Sequence, residues 1–205
     1  MTLLARLRTT TRDAHRALER DLGFLPGSIS LSRYEAVLSA FLGFHEPLEK
    51  ALTASIAAHA VPWDVSAGTE QLAADLSALG WDSSRIAALP RSSPPDVEAL
   101  PALVGSLYVV EGAKLGGQLI SRWVGDALGS APVSFFAAGG NARRRFRWFG
   151  AMAEAVLPAE DVGSACEAAN LHFSMFRDWL AGSALQPLGA LEQPVQHPAR
   201  DEPHP

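Results

Sequence analysis

The sequence predicts an all-α, single-domain protein of about six to eight helices, on three observations. Apolar residues recur at helical spacing through most of the chain. No run alternates apolar and polar residues as a half-buried strand does. Capping and breaking residues fall where each periodic run starts and stops. At 205 residues the chain is long enough to bury one sizeable core without staples.

The first helix is expected over residues 3–22, capped by Thr2. Leu4, Leu7, Thr11, Ala14, Leu18 and Leu22 form its apolar stripe. Arg8, Arg12, His15 and Glu19 follow at spacings of four, three and four, and line one edge of that stripe. The simpler reading is a charged edge with an incidental histidine; the other is a ligand site at the rim of a core. A turn from Gly23 to Ser30 is signalled by Pro26-Gly27. Ser32 and Glu35 suggest a capping box for a second helix running to about residue 59. Pro47 sits inside that helix and should kink it. His45 lies on its apolar side and reads as a packed, hydrogen-bonded core histidine.

After a loop from Val61 to Gly68, a short helix over residues 70–79 closes at Gly80. Trp81 to Leu89 has room for one further turn, and Arg91 to Pro95 reads as a loop. A long apolar helix starts near Asp96 or Pro101 and ends near Ala127. Gly129 to Gly140 is then a connection with an apolar patch at Val133 to Phe136. Asn141 suggests a cap for a helix over 142–157, and Pro158 opens the last helix, which Gly182 ends. The chain therefore divides into a helical body over residues 1–185 and a proline-rich tail over 186–205, expected to be flexible.

Composition excludes several function classes. The net charge of −5 offers no global basic field for nucleic acid. The single cysteine, Cys166, rules out an internal disulfide and a cysteine metal cluster, which fits a reducing, cytoplasmic setting. The opening MTLLARLRTTTRDAH lacks the apolar run of a signal peptide. No window supplies the ~18 clean apolar residues of a membrane span.

The long helix carries an anomaly. Gly112, Gly116 and Gly117 fall within six residues of one another in LVGSLYVVEGAKLGGQLISRWV, Leu103 to Val124. Each costs about 0.5–1 kcal/mol relative to alanine inside a helix. A flat ligand against the backbone, a bend, or close packing through small residues would each explain them. A second anomaly lies at 142–157, which opens with Arg143, Arg144, Arg145 and Arg147. Cations oppose the macrodipole at a helix N-terminus, so these arginines point to an anionic partner or to a solvated basic patch. An edge histidine, a bare helix backbone and arginines on two helices together describe a slot for a flat apolar molecule with carboxylates and a metal. Heme fits that description: its iron takes an imidazole and its propionates pair with arginine.

GSLYVVEGAKLGGQ (Gly105 to Gln118), TTRDAHRALE (Thr10 to Glu19) and AANLHFSMFRDWL (Ala168 to Leu180) resemble the heme oxygenases, most closely the bacterial branch associated with bacteriophytochromes. The resemblance spans roughly residues 3–182 and implies the helical heme oxygenase fold. It implies oxidative opening of heme to biliverdin, releasing carbon monoxide and ferrous iron. Heme would be both substrate and cofactor, with oxygen and an electron donor such as a ferredoxin or a reductase, and a bacteriophytochrome as a candidate acceptor of the product. By the same resemblance His15 matches the proximal iron ligand, and Glu19 the residue that bonds toward it. Arg8 and Arg12 match positions that reach the propionates. One or two of Arg143, Arg144, Arg145 and Arg147 join them, with Arg143 and Arg147 favoured. Gly112, Gly116 and Gly117 match the distal glycines. The chain departs from many members in having Ala113 where they carry a distal aspartate, so no carboxylate at that position organises a proton relay. A non-enzymatic heme carrier and a thiaminase-like bundle that does not bind heme are the alternative functions on the same architecture.

Overall fold

The computed structural model describes residues 1–23, 29–65 and 68–183. Among these there are eight α-helices, one 3-10 turn and no strand. They are α1 (Leu3–Leu22), α2 (Leu31–Ala58), α3 (Gly68–Ala78), α4 (Ser83–Ala87), α5 (Leu100–Leu128), α6 (Ser134–Ala137), α7 (Ala142–Val156) and α8 (Val162–Gly182). The center of the expected turn at Pro26-Gly27 and the tail from Gln186 lie outside the described residues. No helix among them is long and apolar enough to cross a membrane.

The local signals explain most element ends. Thr2 Oγ1 accepts from the Ala5 amide at 3.3 Å and starts α1, which Gly23 closes in the left-handed conformation at φ 61°. Along α1 the buried residues are Leu3, Leu7, Thr11 and Ala17, while Leu4, Ala14, Leu18 and Leu22 are only half-buried. The apolar stripe is thus broader than one row. The cap of α2 differs from expectation. Ser30, not Ser32, accepts from the Arg33 amide at 3.2 Å, and such a cap contributes about 1 kcal/mol. The helix therefore begins one residue before Ser32, which puts Glu35 out of reach of a capping-box role.

Pro47 is accommodated inside α2 by a specific partner. A proline lacks the N–H that would bond the carbonyl four residues earlier. That carbonyl belongs to Gly43, and it accepts from the Ser92 amide at 3.0 Å. The 90–92 segment comes so close that a Cβ on Gly43 would stand 2.6 Å from the Pro90 carbonyl.

Three other expectations are corrected. Val133 to Phe136 is not plain connection: Ser134–Ala137 forms α6. It is capped from a distance, by Asp75 of α3, whose carboxylate accepts from the Ser134 amide at 2.9 Å, the Ser134 hydroxyl at 2.6 Å and the Phe135 amide at 3.0 Å. Asn141 precedes α7 but makes no capping bond with its side chain. Pro158 leads into a 3-10 turn at Ala159–Asp161, and α8 begins only at Val162.

The helix order matters less to the site than one packing relation. Both α1 and α5 rest on α8, and α7 packs against α5 and α1. Contact between α5 and α8 is backbone-close at Gly105, where a Cβ would collide with the Ala165 carbonyl and stand 2.9 Å from the Ala169 amide. Gly105→Ala should therefore lower stability by about 1–3 kcal/mol through overpacking. Gly125→Ala, in the same helix with nothing within 4 Å of the added Cβ, should raise it by about 0.5–1 kcal/mol. Urea denaturation of the two variants checks this; equal shifts would refute the packing argument.

Candidate functional site

The two motif helices are bridged by a side-chain hydrogen bond. Thr11 Oγ1 of α1 and Tyr108 Oη of α5 are 3.4 Å apart. One helical turn beyond Thr11 stands His15, and one turn beyond Tyr108 stands Gly112. Beyond that point each of the two helices is braced by a neighbor. Phe173 of α8 lies edge-on to the His15 ring at 5.8 Å. Phe146 of α7 lies against the Tyr108 ring at 5.9 Å.

His15 is half exposed. Its Nδ1 lies 3.6 Å from Glu19 Oε2, just past ordinary hydrogen-bond length. In this orientation Nδ1 faces the carboxylate, and Nε2 bonds no other described residue. Arg8 and Arg12 stand exposed on the same helix, free of ion pairs among the described residues.

The three glycines separate into two kinds. A Cβ on Gly117 would stand 2.6 Å from the Phe136 carbonyl, so this glycine exists to let α6 approach. A Cβ on Gly112 would make only ordinary contact with Phe146 at 3.7 Å, and one on Gly116 would meet nothing within 4 Å. Packing inside the chain therefore explains Gly117 and leaves Gly112 and Gly116 unexplained. Ala113 is exposed beside them.

The four arginines of α7 also separate. Arg145 is engaged: its Nε donates to Glu111 Oε2 at 2.8 Å, its Nη2 to Glu111 Oε1 at 3.0 Å, and its Nη1 to Asp64 Oδ1 at 3.2 Å. Its guanidinium lies over the Trp63 ring, 4.5 Å from the centroid. Arg144 stacks outward on the exposed Trp148 ring at 5.1 Å. Arg143 and Arg147 are exposed. Arg147 precedes Gly150 by three residues, and Arg143 precedes Arg147 by four, so they share one side of α7. On that side Gly150 touches Leu4 of α1. The register that sequence left open thus turns Arg143 and Arg147 toward α1 and Arg145 away from it.

Sequence reasoning missed the Tyr108–Thr11 bridge and the buried Glu111 pair. Glu111 and Lys114 are three apart in one helix, a visible signal; nothing local pointed to Arg145.

The other helical histidines are elsewhere. His45 is ringed by Phe41, Phe44, Phe135 and Phe176. It is a packed core histidine as expected, but it makes no hydrogen bond among the described residues. His172 is buried against Phe44, its Nδ1 without a partner. Burial, with Lys114 adding for His45 and His45 for His172, pushes their pKa values down to about 4 and about 3. Both stay neutral in the folded chain where the unfolded chain already takes up a proton. Each therefore contributes nothing to the pH dependence above about 7, and destabilises as pH falls below about 6.5. Stability should drop by about 1.4 kcal/mol per pH unit for each between pH 6 and 5, above the carboxylate range. His172→Phe should remove one share of that slope in denaturation curves taken across this window; an unchanged slope would contradict the neutral core pair.

The fold is a helical bundle in which a histidine-bearing helix and a glycine-bearing helix both pack on α8. The chain belongs to the heme oxygenase family, whose model matches residues 1–182. Two solved structures share the fold. A heme oxygenase from Leptospira interrogans has a TM-score of 0.73 and 18% identity, covering 89% of this chain and 100% of that one. Heme oxygenase-1 from the cyanobacterium Synechocystis, solved in complex with heme, has a TM-score of 0.68 and 16% identity, covering 89% and 92%. No curated protein matches the chain significantly.

Proposed function

We propose that this chain binds heme between α1 and α5 and opens it oxidatively to biliverdin, with release of carbon monoxide and ferrous iron. One observation carries the reading: Gly112 and Gly116 present bare backbone that no packing within the chain requires, on the helix facing the one that carries His15. The residues fit the ligand. His15 Nε2 would take the iron while Glu19 holds the ring and its tautomer. Gly112 and Gly116 would let a flat macrocycle lie against α5. Arg8, Arg12, Arg143 and Arg147 would meet the two carboxylates. Gly117 belongs to the site indirectly, by seating α6 under that stretch of α5.

Heme, once bound, supplies the iron that activates oxygen and is itself the molecule cleaved. The chain supplies neutral imidazole ligation and a distal wall of small groups with room for water. Glu111, the acid nearest Ala113, is buried and ion-paired away from that wall. Protons must therefore arrive by water held on backbone groups near Gly112. Electrons come from a ferredoxin or a reductase. We place the protein in the bacteriophytochrome-associated branch, acting in the cytoplasm, with its domain ending near residue 185 and a phytochrome as acceptor of biliverdin. A heme carrier without turnover is the second reading, and Ala113 favors it.

Titration of the purified protein with hemin, followed by a reductant in air, tests the proposal. A stoichiometric histidine-type Soret band that decays to a biliverdin spectrum with carbon monoxide released is expected. A band that persists would leave the carrier reading, and no band would end both. His15→Ala should abolish the axial-imidazole spectrum, and added imidazole should restore it; His172 is buried and His45 is enclosed by four phenylalanine rings, so neither should replace His15. Gly116→Ala should weaken hemin binding and leave apoprotein stability equal or higher. Gly117→Ala should instead lower apoprotein stability by about 1–3 kcal/mol, and a reversed pattern would refute the division between the two glycines.

A further inference from the structure

Glu111 and Arg145 take no part in the site as described so far, yet they form its most elaborate polar contact. The Glu111 side chain is 1% exposed. Besides the two bonds from Arg145, it accepts from Lys114 Nζ at 2.8 Å and Trp63 Nε1 at 3.2 Å. Oε1 thus accepts three donors and Oε2 one, so both oxygens are bonded. Arg145 also reaches Asp64 through its Nη1 and the Asp64 carbonyl through its Nη2, so one ion pair joins α5, the first turn of α7 and the 63–64 segment. The anion that the arginine-rich start of α7 lacks in its own sequence is thus delivered by α5.

Two consequences of position follow. Glu111 immediately precedes Gly112, where the bare stretch of α5 begins. Arg145 lies two residues from both Arg143 and Arg147, so holding Arg145 toward Glu111 turns those two toward α1. A bidentate arginine–carboxylate pair is geometrically specific in a way that the surrounding apolar contacts are not.

We propose that Glu111 and Arg145 are a positioning pair: they set the rotation of α7 against α5, and so aim Arg143 and Arg147 at the carboxylates of the bound macrocycle. This rests on the heme reading. The pair touches neither ligand nor iron and acts only through the two exposed arginines.

The test compares hemin with hemin dimethyl ester, which has the same macrocycle and iron but no carboxylate charge. Wild type should bind hemin roughly tenfold more tightly than the ester, the size of one charge-assisted contact. Glu111→Gln should remove most of that preference, weakening hemin and sparing the ester. In an Arg143→Gln/Arg147→Gln background, Glu111→Gln should have no further effect on hemin. An equal loss for both ligands, or an undiminished effect in that background, would show a merely structural role and overturn the proposal. Should Glu111→Gln lose its helical circular dichroism, the apolar replacement Glu111→Leu/Lys114→Met/Arg145→Met, which leaves neither partner cation unpaired, serves in its place, since such swaps often keep stability. It too must lose the preference for hemin; keeping it would overturn the proposal. Wild type binding neither ligand would instead bring down the heme reading itself, a different result from wild-type preference retained in the variants.

Discussion

The site depends on α8 serving as a common floor. α1 and α5 carry the motifs, but they reach each other through one hydroxyl pair, Thr11 and Tyr108, and otherwise take their relative placement from the helix beneath both. That arrangement keeps the two motif helices out of close packing with each other. Two helices in full ridge-into-groove contact would sit 8–10 Å apart and leave nothing between them. Gly105 sets the height of α5 above the floor through backbone contact with Ala165 and Ala169, and Phe173 of α8 braces the His15 ring. Spacing between the histidine and the bare backbone is therefore inherited from packing remote from either.

Charge follows the same economy. The arginines that open α7 oppose its dipole, and the chain resolves the conflict unequally. Arg145 finds a buried carboxylate, Arg144 an aromatic face, and Arg143 and Arg147 remain exposed. The buried pair is costly to desolvate, and a carboxylate holding two cations and an indole offsets part of that cost. Stability is thus not the natural explanation for its presence, whereas geometric specificity is.

Much of the fold was legible because its signals are local. Thr2, Gly23, Gly80, Pro101 and Gly129 bound periodic runs, and the helix limits followed to within a residue or two. What escaped was nonlocal. α6 exists because Asp75, 59 residues upstream, caps it, and no reading of Val133 to Phe136 alone contains that acid. The Ser30 cap was displaced by a better-looking Ser32–Glu35 pattern nearby. The glycines stand out as departures from ordinary helix composition, whereas His15 and Glu19 read most simply as a charged helix edge until the family resemblance singles them out. The division of those glycines, and of the arginines, depends on which neighbor arrives from another helix. Sequence spacing cannot distinguish a glycine that admits Phe136 from one that admits a ligand.

Pro47 shows how far such a dependence can reach. The donor it lacks frees the Gly43 carbonyl, that carbonyl holds the Ser92 amide, and the closeness this requires leaves room for no side chain at Gly43 beside Trp179, whose indole in turn donates to the Ala40 carbonyl at 2.7 Å. A residue with an N–H at position 47 would compete for an acceptor already committed to another segment. These positions are consequently coupled in stability: a substitution at any of them alters what is tolerable at the others, so replacing the proline and loosening the 90–92 crossing would not add independently.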